Sequence, residues 1–403
     1  MPKKLLEDVK IADFTWALVG PISTKPFSDY GAQVIKIEGR TRPDSRRASG
    51  PFKDDILGLD RSGGSNPFSS GKMSLGLNLA HPKGLETAKR LVAWADVVVE
   101  NFAGGAMERM GLGYRELVKI KPDIIMLSSC IMGQTGPLAT HRGAGLTLTA
   151  LAGFNSITGW PDREPVSIGF YTDFIGPYFN TILLLAALDY RLRTGKGQYF
   201  DVSQLETSAH MLAPLILDWT VNGRSAQMEG NSSPYSAPHG AYRCRGNDRW
   251  CAIAVSTEEE WHSFCLAIGS PGWTKDRRFG THESRKEHET ELDRLVESFT
   301  VALTPEEVQE LMQSVNVPAG ILRSAVDLVT EDPQLTSRGF WHTVDHPDVG
   351  KYIAWRMPFI LSKSQCEVRR APLLGEHNEY VCKEILGMSD EEVSELVVEG
   401  VLE

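Results

Sequence analysis

The chain has 403 residues, 41% hydrophobic and 23% charged, enough for two domains and a sizeable core. A net charge of −10 with acids and bases interspersed argues against nucleic acid or an anionic membrane as partner, so an anionic ligand needs a local basic pocket. The six cysteines are scattered without a CxxC pair and the ten histidines form no ligand cluster, which excludes a disulfide scaffold and a zinc site and predicts reduced thiols in a cytoplasmic protein.

The first fourteen residues, MPKKLLEDVKIADF, lack a long apolar stretch, so no signal peptide is expected. From there strand and helix signals alternate. "VKIADF" (9–14), "AQVIKIE" (32–38), "DVVVENF" (96–102) and "DIIMLSSC" (123–130) are short, β-branched and largely apolar, as buried parallel strands are. Between them the stretch His81–Ala95 opens on Pro82 with apolar 3–4 spacing and predicts a helix. A long helix is expected after Asp173, ending where Gly195 and Gly197 break "RTGKG", and the strand "QYFDVS" follows. Its apolar run Ile182–Leu188 is too short to span a bilayer, and Asp189 and Arg191 close it.

Composition changes at "GRSAQMEGNSSPYSAPHG" (223–240), a loop rich in Gly, Ser and Pro. "AYRCRGNDRWCAIAV" then reads as a hairpin about a Gly-Asn-Asp turn, and charged helical segments fill 257–316. The expected organisation is α/β: a large domain with a parallel sheet from 1–224, a smaller α+β domain from 225–325, and a return to the large domain over 326–403.

Most catalytic patterns are missing, among them G-x-S-x-G, the P-loop, H-E-x-x-H and a G-x-G-x-x-G after a strand. "ENFAGGAMERMG" sets adjacent glycines between a strand and a helix, where backbone N–H groups could receive an anion or simply form a tight turn. Lys36, Arg40, Lys72, Arg109 and Arg142 fall at strand ends or in loops, largely on the edge of the sheet where ligands of open α/β folds bind. In "SIGFYTDFIG" (167–176) one carboxylate, Asp173, stands among Ile, Phe and Tyr at the mouth of the long helix. It is either a helix cap or a reacting group.

Read together, "DFTWALVGPISTKPFSDYGAQVIKIE", "SSGKMSLGLNL", "ADVVVENFAGGAMERMGLGY", "GQTGP", "TDF", "RTGKGQYFDVS", "DPQLTSRGF" and "APLLGEHNEYV" resemble the class III CoA-transferase family, of formyl-CoA transferase and carnitine CoA-transferase type, over essentially the whole chain. The resemblance implies a Rossmann-like large domain built from both chain ends, a small domain, and an interlocked dimer of ring-shaped subunits, with a second copy or a paralogous subunit. It implies CoA thioesters as substrates with no tightly bound cofactor, and Asp173 as the catalytic residue. Matching positions put CoA contacts at Lys72, Asn101, Phe102, Ala106, Arg109 and Arg142, with Arg40 beside another, and the acyl site at Trp16, Ala17, Leu18 and Val19, near Tyr171.

This chain departs from the formyl-transferring members. Leu18 stands where they carry Gln, Gly39 where they carry Arg, and "NSSPYSAPHG" where they have a glycine-rich lid. Trp16, Trp160, Phe170, Tyr171 and Tyr178 near the reacting segments suggest a bulky or aromatic acid, as in members that use succinyl-CoA and benzylsuccinate. The reaction so implied passes through an aspartyl anhydride and an aspartyl-CoA thioester. Three alternatives remain: an α-methylacyl-CoA racemase, although Ala144 occupies the position of its histidine base; a subunit of a heteromeric CoA-transferase; and, least favoured, a non-enzymatic binding module, in which only capping would explain the acid.

Overall fold

The computed structural model describes residues 4–141 and 143–403. The chain forms two units: one from Met1–Asn155, Ser167–Ala226 and Leu335–Glu403, the other from Ser156–Val166 and Gln227–Gln334.

The first unit is organised by a six-stranded parallel sheet: β1 (Lys10–Asp13), β2 (Gln33–Glu38), β3 (Met73–Gly76), β4 (Val97–Glu100), β5 (Ile125–Cys130) and β6 (Tyr199–Ser203). Their spatial order is β3-β2-β1-β4-β5-β6, that of a doubly wound nucleotide-binding sheet. Successive side chains point to opposite faces, so the inner strands β2, β1, β4 and β5 feed two cores. Ala12, Ile35, Leu75, Val98 and Met126 pack with Leu91 and Leu117 on one face. Ile11, Val34, Val97, Val99 and Leu127 pack with Phe27 and Leu184 on the other.

Most expected elements appear at shifted bounds. The helix expected at His81–Ala95 is Pro82–Trp94, with His81 as N-cap accepting from the Lys83 N–H at 3.2 Å. β3 carries no apolar run, and its Ser and Gly content hides it from a pattern search. The long helix is Tyr171–Thr194, and its C-cap Gly195 is left-handed at φ 70°. It starts before Asp173 rather than after it, so the carboxylate sits in the first turn. A hairpin of β10 (Trp341–His346) and β11 (Gly350–Trp355) precedes the final helix, Asp390–Val398.

The second unit holds the three-stranded antiparallel sheet β7 (His239–Arg243), β8 (Trp250–Ala254) and β9 (Ala319–Ile321). Its core includes Tyr242, Ile253, Phe264, Leu292 and Val308. Three of its helices open on capping boxes, Thr257 with Glu260, Thr304 with Glu307 and Ser324 with Asp327. The six cysteines are free thiols, and among the described residues no His, Cys, Asp and Glu group could hold a metal ion. No helix is long and apolar enough to cross a membrane.

Candidate active site

The order reverses between β1 and β4, so the loops leaving these neighbours diverge and open a crevice at their carboxyl ends. The loop after β1 is held by a buried polar network. Asp13 accepts from the Thr15 N–H at 3.0 Å and from Lys72 Nζ at 3.0 Å. Lys36 Nζ donates to the Thr15 carbonyl and to Asp44 Oδ2, both at 2.8 Å. Burial pushes Asp13 toward protonation, but Lys72 and Lys36 outweigh it and keep its carboxyl below the usual range.

This scaffold sustains an unusual backbone. Ala17 has φ 61°, a left-handed conformation that a residue with a Cβ rarely adopts. Its N–H donates to Asp44 Oδ1 at 2.9 Å. Next to it, Asn101 from the end of β4 accepts the Trp16 N–H and donates to the Trp16 carbonyl, each at 2.8 Å. Helix α1 (Val19–Asp29) begins directly after the loop, without a side-chain cap or an acid in its first turn. Its first N–H groups are thus left for another partner.

Facing this loop is a cavity of about 390 Å³ lined by Trp16–Val19, Arg46, Asn101, Phe102, Ala144, Gly145, Phe170, Asp173 and Gln204, among others. Asp173 lines it from the first turn of the long helix, whose N-cap Phe170 makes no side-chain cap bond, and among the described residues no hydrogen bond to the Asp173 carboxylate is formed. The capping alternative therefore has no hydrogen bond behind it. The carboxylate lies so close to Gly145 that a Cβ there would be 2.5 Å from Oδ2. Burial pushes the Asp173 pKa up to about 6, against the opposing pull of Arg46. A half-buried carboxylate, raised in pKa, without a hydrogen-bond donor among the described residues and open to a cavity, is a candidate nucleophile.

A second cavity, of about 520 Å³, lies beyond Trp16 and Phe102 and shares both with the first. The two rings meet edge to face, centroids 5.5 Å apart. Gly39, Arg42, Leu79, Ala106 and Arg109 also line this cavity, so two guanidinium groups border it.

Of the residues expected at the site, Trp16, Ala17, Leu18, Val19, Asn101, Phe102 and Asp173 come together in the first cavity. Phe102, Ala106 and Arg109 line the second. The structure brings Lys72 to neither: it is buried, and Nζ is taken up by Asp13, the Pro21 carbonyl at 2.9 Å and Thr24 Oγ1 at 2.7 Å. Arg40 is exposed and lines neither cavity; Arg42 does instead. Tyr171 is exposed and packs edge to face on Phe154 at 5.5 Å. Tyr178 is exposed as well. Arg142 lies outside the described residues.

Sequence reasoning missed Arg46, Gln204 and Gly145, for which no single-sequence pattern exists. It also missed Glu100, at the end of β4, whose Oε2 accepts the Phe102 N–H at 2.7 Å. Burial pushes this acid up to about 7.

The family model for CoA-transferase family III matches residues 6–378. The chain belongs to that family. It is 31% identical to the succinyl-CoA–D-citramalate CoA-transferase of Chloroflexus aurantiacus, over 100% of this chain and 99% of the relative. It is 30% identical to the mouse (Mus musculus) succinyl-CoA:glutarate CoA-transferase, over 99% of this chain and 91% of the relative. Among solved structures, a CaiB/BaiF family protein from Brucella suis superposes with a TM-score of 0.86 at 29% identity, covering 95% of this chain and 99% of that one. The protein is thus a CoA-transferase, and enzymes of this kind use CoA thioesters as substrates. For this family III enzyme the paired cavities are the candidate active site.

Proposed function

We propose that the enzyme moves CoA from an acyl-CoA donor, succinyl-CoA in the first instance, to a carboxylic acid through covalent intermediates on Asp173. The observation that carries this reading is the Asp173 carboxylate: desolvated, free of any cap bond, and lining a cavity. One carboxylate oxygen attacks the thioester carbon, the C–S bond breaks, and CoA thiolate leaves an aspartyl–acyl anhydride. The thiolate then attacks the aspartyl carbonyl and expels the donor acid, which leaves an aspartyl-CoA thioester. The acceptor carboxylate attacks that carbonyl and displaces thiolate, and thiolate takes the acceptor acyl group from the new anhydride. Asp173 is regenerated, and no proton is gained or lost.

Each addition places negative charge on a carbonyl oxygen. The uncapped start of α1, at Leu18 and Val19, offers backbone N–H groups and the positive end of the helix dipole to that charge. The CoA chain would run past Trp16 and Phe102 into the second cavity, with Arg42 and Arg109 near its phosphates. Trp16, Phe102 and Phe170 give the acyl cavity an aromatic wall that suits a bulky acceptor of benzylsuccinate type. A racemase would need a second proton-transfer group, and no histidine is among the described lining residues: Ala144 lines the cavity and His141 does not.

The working form we propose is a cytoplasmic dimer, interlocked as in the family, with a second copy or a paralogous subunit. The helix Ala213–Asn222 supports a partner: it has no buried residue, and Ile216, Leu217, Trp219 and Val221 are all exposed. The test of the chemistry is incubation with succinyl-CoA and no acceptor. A hydroxylamine-cleavable acyl or CoA adduct on the peptide containing Asp173 is expected. An unmodified peptide during active transfer would sink the covalent route.

A further inference from the structure

Among the described residues that line the Asp173 cavity there is one cation, Arg46. It stands in the pair Arg46-Arg47, and the two have opposite fates. Arg47 is buried and neutralised by Glu38 at 2.9 Å and Asp60 at 2.6 Å. Arg46 makes no ion pair among the described residues. Its backbone N–H donates to Asp44 Oδ1 at 2.9 Å, and Nε reaches the Gly64 carbonyl at 3.4 Å. The guanidinium lies against Gly64, where a Cβ would stand 2.5 Å from Nη2, so glycine there makes room for it. The result is a guanidinium in the lining of the Asp173 cavity that feels the Asp173 charge but forms no ion pair among the described residues.

Three partners are conceivable for it. The first is Asp173 itself, but the two side chains share the cavity without a hydrogen bond. The second is a CoA phosphate. A thioester carbon placed at Asp173 leaves the phosphates at the far end of the pantetheine arm, and the second cavity has Arg42 and Arg109 to receive them. The third is a group on the acyl chain. Whatever occupies the cavity beside the attacked carbon is the acid being exchanged, so a cation there meets that acid's far end. A guanidinium favours a planar carboxylate that it can bind with two parallel hydrogen bonds.

We propose that Arg46 receives a second carboxylate, and that both the donor acyl group and the acceptor acid are dicarboxylic. This rests on the CoA-transfer reading above. Donor and acceptor share the requirement because each occupies the same cavity in turn while its other carboxyl group exchanges at Asp173. Trp16, Phe102 and Phe170 would hold the carbon chain between the two ends. A monocarboxylic acid of equal length would leave the guanidinium unpaired against a hydrocarbon end, which disfavours it.

The test compares isosteric pairs: succinyl-CoA against butanoyl-CoA as donors, and glutarate against pentanoate as acceptors, with new thioesters detected by mass. The wild-type enzyme should prefer the dicarboxylic member of each pair. Arg46→Gln should lower that preference, as the ratio of kcat/KM values, by about 10- to 150-fold, the range for hydrogen bonds to a charged group. Arg46→Lys, which keeps charge and volume but not the planar fork, should fall between. Using the ratio removes any common effect of Arg46 on Asp173 or on folding. A wild-type enzyme indifferent within each pair would overturn the inference, as would variants that slow both members equally. Transfer to some acids without such a preference would overturn this inference alone. No transfer to any acid would overturn the CoA-transfer reading with it.

Discussion

Asn101 and Trp16 exchange two hydrogen bonds across the point where the strand order of the sheet reverses, each 2.8 Å long. The amide is used as both donor and acceptor, so the loop after β1 and the turn after β4 are locked in one register. Asn101→Asp keeps the size but sets an acceptor against the Trp16 carbonyl. The expected outcome is a stability loss of about 1–3 kcal/mol and at least a tenfold loss of kcat/KM with every acyl-CoA. Denaturant unfolding and steady-state transfer would measure the two. An unaffected kcat/KM would show that the clamp serves folding only.

Asp173→Asn separates capping from catalysis. Asn caps helices about as well as Asp, and the native carboxylate makes no cap bond among the described residues. The variant should fold, lose transfer, and fail to form the adduct, since an amide cannot form the anhydride. Turnover at the wild-type rate would return the residue to a structural role.

The same carboxylate sets a pH signature. With its pKa raised to about 6 by burial, the nucleophile is ionised above that value, so kcat/KM should rise with pH and level off just above 6. For stability the sign is opposite. The folded value exceeds the unfolded value of 3.8, so this residue's stabilising contribution is complete below pH 3.8 and is lost as pH rises through 6. A gap of about two pH units corresponds to about 3 kcal/mol. Asp173→Asn should therefore be the more stable protein at pH 7, with the difference closing below pH 4. Melting both across that range would show a constant difference if the site carries no such strain.

The grouping of Asp173 with Trp16–Val19 in one cavity was legible in the sequence because family motifs are contiguous there: "DFTWALVGP" and "YTDF" each bring their residues in one run. Parallel strands were legible from β-branched runs, and β3 was not, since Met73–Gly76 has none. Lys72 shows what a linear motif conceals. A lysine after a glycine turn reads as a phosphate ligand, yet it is buried against Asp13. Arg46 shows the converse, for in sequence it is one of two adjacent arginines and only the burial of Arg47 distinguishes them.

Basic residues thus divide into two kinds with different mutational outcomes. Lys72→Met leaves Asp13 buried without its ammonium partner and should cost about 3–5 kcal/mol. Arg109→Ala should leave stability nearly unchanged and raise KM for CoA thioesters, as added salt should for the wild-type enzyme. If Lys72→Met unfolds like wild type but raises KM, the assignment of these two residues is reversed.

Gly145 offers the sharpest test of geometry, because it has no side chain to react or to bind an acid and yet limits where Asp173 can stand. It is the first residue of the helix Gly145–Leu151, in a backbone conformation open to alanine. A Cβ there would lie 2.5 Å from Asp173 Oδ2 and 2.8 Å from Cγ. These contacts cannot exist, so Gly145→Ala must displace the carboxylate. The backbone is not strained by the change, and the displaced group has a cavity to move into, so stability should change by less than about 1 kcal/mol. Misplacing a reacting group by about 1 Å costs on the order of a hundredfold in rate. The expected result is a normal melting temperature, with single-turnover formation of the aspartyl adduct slowed by about that factor. An adduct formed at the wild-type rate would mean that Asp173 reacts from a rotamer turned away from Gly145, and the carboxylate position described here would then be a resting one.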